Sequence, residues 1–309
     1  MPHAKSYDSD SVRKFPCGGT EKATIFLGEA FQQLGHQVEW ITTIQDLEAF
    51  VLAHDFAYDA VITQEAEFLT LFGDDTKKVF WSHHYNCQPI TRRSAPFSRC
   101  FADKIVTLSQ HHHDDLLDSL KIESTIIGHG VWLSEVCKSV KKDRFRLMYA
   151  STPFRGLSRI PELFREIKAK EPEAGITICS SMATYGQAEK DSEYTPIFEE
   201  LIEMEGVTVL RALPQQELYD QYAKASIFLY PSIWRETYCL ALDEALAHGC
   251  KAITSGLGAL SERSYPYSTN DEILQAVDDH FQQRDKKVYE FTPKDWSEIA
   301  MQWQKEILE

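Results

Sequence analysis

The chain has 309 residues, 43% hydrophobic and 26% charged, which suits two packed domains and excludes disordered, collagenous, coiled-coil and disulfide-scaffold classes. Acidic residues outnumber basic ones 47 to 32, a net charge of −15, which argues against a broad grip on nucleic acid or anionic lipid but allows a local basic pocket for a small anion such as phosphate. The 7 cysteines form no C-x-x-C pair and no apolar run approaches the ~18 residues of a membrane span, so the expectation is reduced thiols in a cytoplasmic protein without a transmembrane segment.

In chain order, residues 1–16 hold neither a strand-like run nor the apolar core of a signal peptide. Gly18-Gly19 then reads as a turn before a helix, Ala23–Leu34, ended by Gly35. A doubly wound sheet normally has a strand ahead of such a turn. The expectation is therefore an irregular N-terminus and an N-terminal sheet lacking its first strand, through a departed pattern or residues missing upstream.

Ten strand-like runs follow: Gln37–Thr42, Asp59–Gln64, Lys78–His83, Lys104–Ser109, Ser124–Ile127, Arg146–Ser151, Gly175–Ser180, Val207–Ala212, Ser226–Tyr230 and Lys251–Ser255. Many are continuously apolar, as in parallel strands covered on both faces. Helical patterns separate them, including Ser158–Lys170 and Leu240–His248, so the fold class is α/β built of βαβ units. Ten strands exceed one comfortable sheet. The polar run Cys137–Asp143 is the cut, giving Rossmann-like domains at 1–140 and 141–285. In the tail, 286–309, Trp296, Ile299, Trp303 and Ile307 share a helix face that needs cover, for which the N-terminal domain is the candidate.

The segment 226–260 carries the chemistry. Glu236 and Glu244 flank a helix start formed by Thr237, Tyr238, Cys239 and Leu240. Free amides and the helix dipole favour an anion there, and two carboxylates beside a phosphate suit sugar hydroxyls. By spacing alone the plain alternative stands: Glu236 as an acid favoured at a helix start and Glu244 as a solvated face residue.

This segment resembles the donor-binding signature of retaining GT-B glycosyltransferases, especially family 4 (group 1). Pro231-Ser232, Glu236, Glu244-Ala245-Leu246-Ala247-His248-Gly249 and the strand Lys251–Ser255 stand as in that family, with seven residues between the glutamates. Thr237-Tyr238-Cys239 replaces the family's Gly-Phe-Gly. Residues 148–157 resemble the strand and phosphate loop opening the donor domain. Gly18-Gly19-Thr20-Glu21 with Leu34-Gly35-His36-Gln37-Val38 resembles the loop, helix and strand opening the other.

The resemblance implies two Rossmann-like domains with parallel sheets facing a central cleft, the N-terminal one on the acceptor side. It implies that Glu244 binds the donor ribose, that Glu236 holds the donor sugar near the reacting carbon, and that amides from Thr237 to Leu240 take the diphosphate. Arg155 neutralises the leaving group, where catalysis needs charge stabilisation. His83 or His84, at a strand end, faces the donor sugar. Gly18 and Gly19 let backbone approach the phosphates. The family's second basic residue falls at Ala150, and Arg159 is a possible substitute. The implied reaction moves a sugar from a UDP- or GDP-linked donor to an acceptor hydroxyl, on a carbohydrate or lipid-linked molecule, with retention of configuration and without a metal.

Other residues read as structural. His111-His112-His113 sit about 100° apart on a helix and cannot share one ion, so they read as a capped, solvated helix end. Gly128-His129-Gly130-Val131 resembles the family's turn before the interdomain linker. Cys239 has no histidine base assigned to it. Arg92, Arg93 and Arg99 read as residues of a loop with Pro96 and Phe97 that either greets an anionic acceptor or a membrane face or is plainly solvated. The rival readings are a catalytically degenerate relative that binds nucleotide or partners an active enzyme, and a nucleotide-sugar epimerase. Donor sugar, acceptor and oligomeric state are not encoded in any motif found.

Overall fold

The computed structural model describes residues 7–43, 46–49, 58–137, 140–284 and 291–309. The chain divides into two compact units, one formed by 1–9, 23–130 and 295–309, the other by 10–22 and 131–294.

In the first unit a four-stranded parallel sheet is ordered β1 (Ala60–Thr63), β2 (Lys77–Trp81), β3 (Lys104–Thr107), β4 (Thr125–Ile126). The expected strand Gln37–Thr42 is not one: its residues hold no ladder among the described residues. Instead the Trp40 indole lies over Gly28, where a Cβ would stand 2.5 Å from Nε1. No strand precedes Gly18 among the described residues, and Ser11–Lys14 is a helical turn rather than irregular chain. The next helix, Gly19–Gln33, begins four residues before the expected start.

The C-terminal helix Trp296–Trp303 starts with a capping box, Asp295 accepting from Ser297 and Glu298 from Asp295. Its apolar stripe is buried: Trp296 lies edge-on to Phe26 at 6.2 Å and Trp303 to Trp81 at 5.2 Å. Gly130 is glycine because a Cβ would meet the Trp296 backbone at 2.8 Å.

Arg92, Arg93 and Arg99 lie on the helix Pro89–Phe101, not in a loop. Arg93 pairs with Glu65 and Glu67, while Arg92 and Arg99 donate to the carbonyls of Asn86 and Leu120. The histidine run begins the helix Gln110–Leu120, capped by Ser109. His112 is buried rather than solvated, within hydrogen-bond distance of Ser82 Oγ and the His84 carbonyl.

The second unit holds five parallel strands, β5 (Asp143–Ala150), β6 (Gly175–Cys179), β7 (Val207–Val209), β8 (Ala225–Tyr230) and β9 (Lys251–Thr254), in the order β7-β6-β5-β8-β9. All of β6 and β8 is buried, which explains their unbroken apolar sequence. Strand order reverses between β5 and β8. The crevice beyond the carboxyl ends of such a pair is where open α/β sheets bind ligands.

Candidate active site

The loops that leave β5 and β8 meet at this switch point. Gly156 has φ +136°, and a Cβ there would stand 2.7 Å from the Pro231 carbonyl, so only glycine lets the loops close. The Ile233 amide donates to the Arg155 carbonyl at 3.0 Å. Across this contact Arg155 Nη1 reaches both oxygens of Glu236, at 2.9 and 2.8 Å.

Each end of the pair has a tyrosine. Tyr230 closes β8 and donates to Glu236 Oε1 at 2.5 Å, with Ser151 Oγ 3.1 Å from the same hydroxyl. Arg155 Nη2 donates to Tyr185 at 2.9 Å. Burial opposes the Arg155 charge, but Glu236 and the neighbouring tyrosines hold the guanidinium above its usual range. Burial, followed by Glu236, pushes the Tyr230 hydroxyl well up, so it stays a donor at neutral pH. Arg155 Nε is buried without a partner among the described residues.

From Glu236 the chain pairs with the loop after β9, where the Ala259 amide donates to the Glu236 carbonyl at 2.9 Å. It then turns into the helix Leu240–Ala247 through Cys239, whose backbone is left-handed at φ 86°. Thr237 is half-buried on this turn and Tyr238 is buried. Tyr238 donates to Asp243, which also forms a buried ion pair with Arg263 at 2.7 Å. The Arg263 guanidinium lies 3.8 Å from the Tyr238 ring centroid. Burial pushes the Asp243 carboxyl upward, against the pull of Arg263. Burial also raises the Cys239 thiol far above neutrality, so it has no thiolate character.

One turn into the helix, Glu244 is not a solvated face residue: it is 1% exposed. Its Oε1 accepts from Lys22 Nζ at 2.8 Å and Gln215 Nε2 at 2.9 Å, while Oε2 is buried without a partner among the described residues. Lys22 belongs to the second unit, as do Gly18 and Gly19. A Cβ on Gly18 would meet Glu21 at 2.4 Å and Tyr185 at 2.9 Å, whereas Gly19 has ordinary room beside Leu240. Arg155, Glu236, Glu244, the 237–240 turn and the Gly18-Gly19 loop therefore form one connected site within this unit.

Arg159 does not join it, since its guanidinium is held by the Pro231 carbonyl and Asn270. The second cation of the site is Lys22, which sequence reasoning missed although it directly follows Gly-Gly-Thr-Glu. Tyr185, Tyr230 and the Asp243–Arg263 pair carried no sequence signal.

His83 and His84 lie in the first unit, just beyond β2. His83 is buried between the rings of Trp81 at 4.4 Å and His129 at 5.3 Å. Burial, then His129, lowers its pKa well below the usual value, leaving it neutral. His84 is half-buried, its carbonyl accepting from Thr91. All seven cysteines are free thiols, and among the described residues no group of three or more His, Cys, Asp or Glu is placed to hold a metal ion.

Residues 135–264 match the family described as Glycosyl transferases group 1. No curated protein sequence matches the chain. Among solved structures, sucrose-phosphate synthase from Thermosynechococcus elongatus is 15% identical with a TM-score of 0.68, over 98% of this chain and 95% of that one. Anabaena HepE in complex with UDP and glucose is 12% identical with a TM-score of 0.66, over 93% and 95%. Staphylococcus aureus TarM, in a complex that includes UDP, is 12% identical with a TM-score of 0.56, over 80% of this chain. The present chain spans about half, 52%, of TarM. The fold is α/β of the GT-B kind, with two parallel sheets.

Proposed function

We propose that the protein is a retaining glycosyltransferase that moves a sugar from a nucleotide-diphosphate sugar to an acceptor hydroxyl. The observation that carries this is the Arg155–Glu236 pair at the switch point, one guanidinium nitrogen on both carboxylate oxygens, one short turn before the helix Leu240–Ala247 that holds buried Glu244. Arg155 and the first amides of that helix are suited to the diphosphate, which gains negative charge as the sugar leaves. Glu244 is suited to ribose hydroxyls, and its second oxygen is available to accept one. Glu236 is suited to the transferred sugar. The departing diphosphate then takes the acceptor proton on the same face.

His83 or His84 is the residue that the family resemblance suggests for hydrogen-bonding the donor sugar. The neutral state of His83 suits that role better than a charge-paired one. UDP complexes of HepE and TarM favour uridine over guanosine as the donor base. The free thiols fit a cytoplasmic setting. No helix among the described residues is long and apolar enough to cross a membrane.

The second reading is a nucleotide-binding relative without catalysis. It is favoured by Ala150 at the second basic position and by Arg159 being held elsewhere. Calorimetric titration with UDP, GDP and ADP, followed by donor turnover, separates the two. Micromolar binding of one nucleotide, lost in Glu244→Ala and weakened in Arg155→Ala, with turnover abolished in Glu236→Ala, is the expected result. Binding with equally inert wild type and variants establishes the second reading, and absence of binding overturns both.

A further inference from the structure

Three large apolar side chains stand exposed on the two loops that frame Glu236: Ile233 at 58%, Trp234 at 38% and Leu257 at 41%. Their backbone is held firmly. The Trp234 amide donates to Ser232 Oγ at 3.0 Å, Ile233 is tied to Arg155, and Glu236 bridges to Gly258 beside Leu257. The Trp234 ring is braced edge-on by Phe154, centroid to centroid 5.3 Å at 77°. The Arg155 guanidinium is 5.9 Å from the Trp234 centroid and hydrogen-bonded to Glu236. An exposed, immobilised aromatic ring thus lies within about one sugar ring of a carboxylate–guanidinium pair.

That combination matches one ligand chemistry. A pyranose has an apolar face of C–H groups and an edge of hydroxyls. The face gains from covering an indole, while the hydroxyls exchange hydrogen bonds with a carboxylate and a guanidinium. A lipid chain would gain nothing from the charged pair. The patch is also broken by exposed Arg235, unlike a continuous protein-docking face.

We propose that Trp234 is a stacking platform for a pyranose ring beside Glu236, with Phe154 as its brace. The ring belongs either to the acceptor or to the donor. The proposal rests on Glu236 being the sugar-handling carboxylate, but its test does not need turnover.

The probes are methyl α-D-glucopyranoside and methyl α-D-mannopyranoside, followed by saturation-transfer NMR, with UDP and UDP-glucose followed by calorimetry. Expected for an acceptor ring is glycoside binding that weakens about threefold to tenfold in Trp234→Ala, is largely kept in Trp234→Phe, and leaves UDP affinity unchanged. For a donor ring, UDP-glucose binds more tightly than UDP and Trp234→Ala removes only that difference. Ile202→Ala, an exposed apolar residue at 60% on the helix Thr195–Glu203, changes neither. Trp234-dependent glycoside binding without any UDP binding upholds the platform and overturns the transferase reading. Sugar binding unaltered in Trp234→Ala, or wild type that binds neither glycosides nor UDP-glucose more tightly than UDP, overturns the platform.

Discussion

The Arg155 guanidinium and the Glu236 carboxylate, 81 residues apart, share two hydrogen bonds at the switch point of the second sheet. Glu236 is 4% exposed at its side chain and Arg155 23%, so the pair is poorly screened. Removing Arg155 takes the countercharge from a buried carboxylate that Tyr230 still hydrogen-bonds. Arg155→Met is expected to cost about 3 kcal/mol, and the double variant Arg155→Met, Glu236→Leu less than the sum of the singles. Urea unfolding of the four proteins measures this; simple additivity would show that the pair contributes no coupling.

Lys22 and Glu244 make the same argument across a longer stretch of chain. Both side chains are at least nine-tenths buried. Lys22→Met leaves Glu244 with Gln215 alone and is expected to lose about 3 kcal/mol, with recovery when Glu244→Gln is added. A thermal scan in which the double variant melts no higher than Lys22→Met would refute this.

Cys239 stands where the signature this segment resembles has a glycine, and its backbone is left-handed at φ 86°. A side chain in that region costs about 1 kcal/mol or more. Cys239→Gly is expected to raise the melting temperature without weakening nucleotide binding, and Cys239→Val to lower it. A lower melting temperature for the glycine variant would mean that packing of the thiol outweighs backbone strain.

Gly156 has the opposite sensitivity. Gly156→Ala places a Cβ against the Pro231 carbonyl and is expected to cost about 2 kcal/mol or more. Because the strain separates the loops carrying Arg155 and Glu236, nucleotide affinity should fall with it. Unchanged affinity in a destabilised variant would show that the loops are positioned by other contacts.

Burial keeps His83 neutral when folded, with a pKa well below that of an unfolded histidine. The unfolded chain therefore binds the extra proton, and stability contributed by this group is complete above about pH 6.5 and falls as the pH drops below it. His83→Gln should flatten stability against pH between about pH 5 and 6.5. Identical slopes would indicate that His83 takes up its proton as readily in the folded protein as in the unfolded chain.

The sequence alone determined the α/β class, nine of the ten expected strands and the helix start after Glu236, because local periodicity and turn chemistry act over a few neighbours. Gln37–Thr42 shows its limit: a strand exists only with a partner ladder, and an apolar run alone does not supply one. The acid at 244 could be read as solvated because nothing local marks burial. Only the packed fold brings Lys22 to it across 222 residues. In the same way Tyr185 and Tyr230 become partners of Arg155 and Glu236 only when β5, β6 and β8 align and end together. Which charges meet, which remain solvated and which tyrosines brace them is decided by non-local packing, where desolvation makes each pairing obligatory.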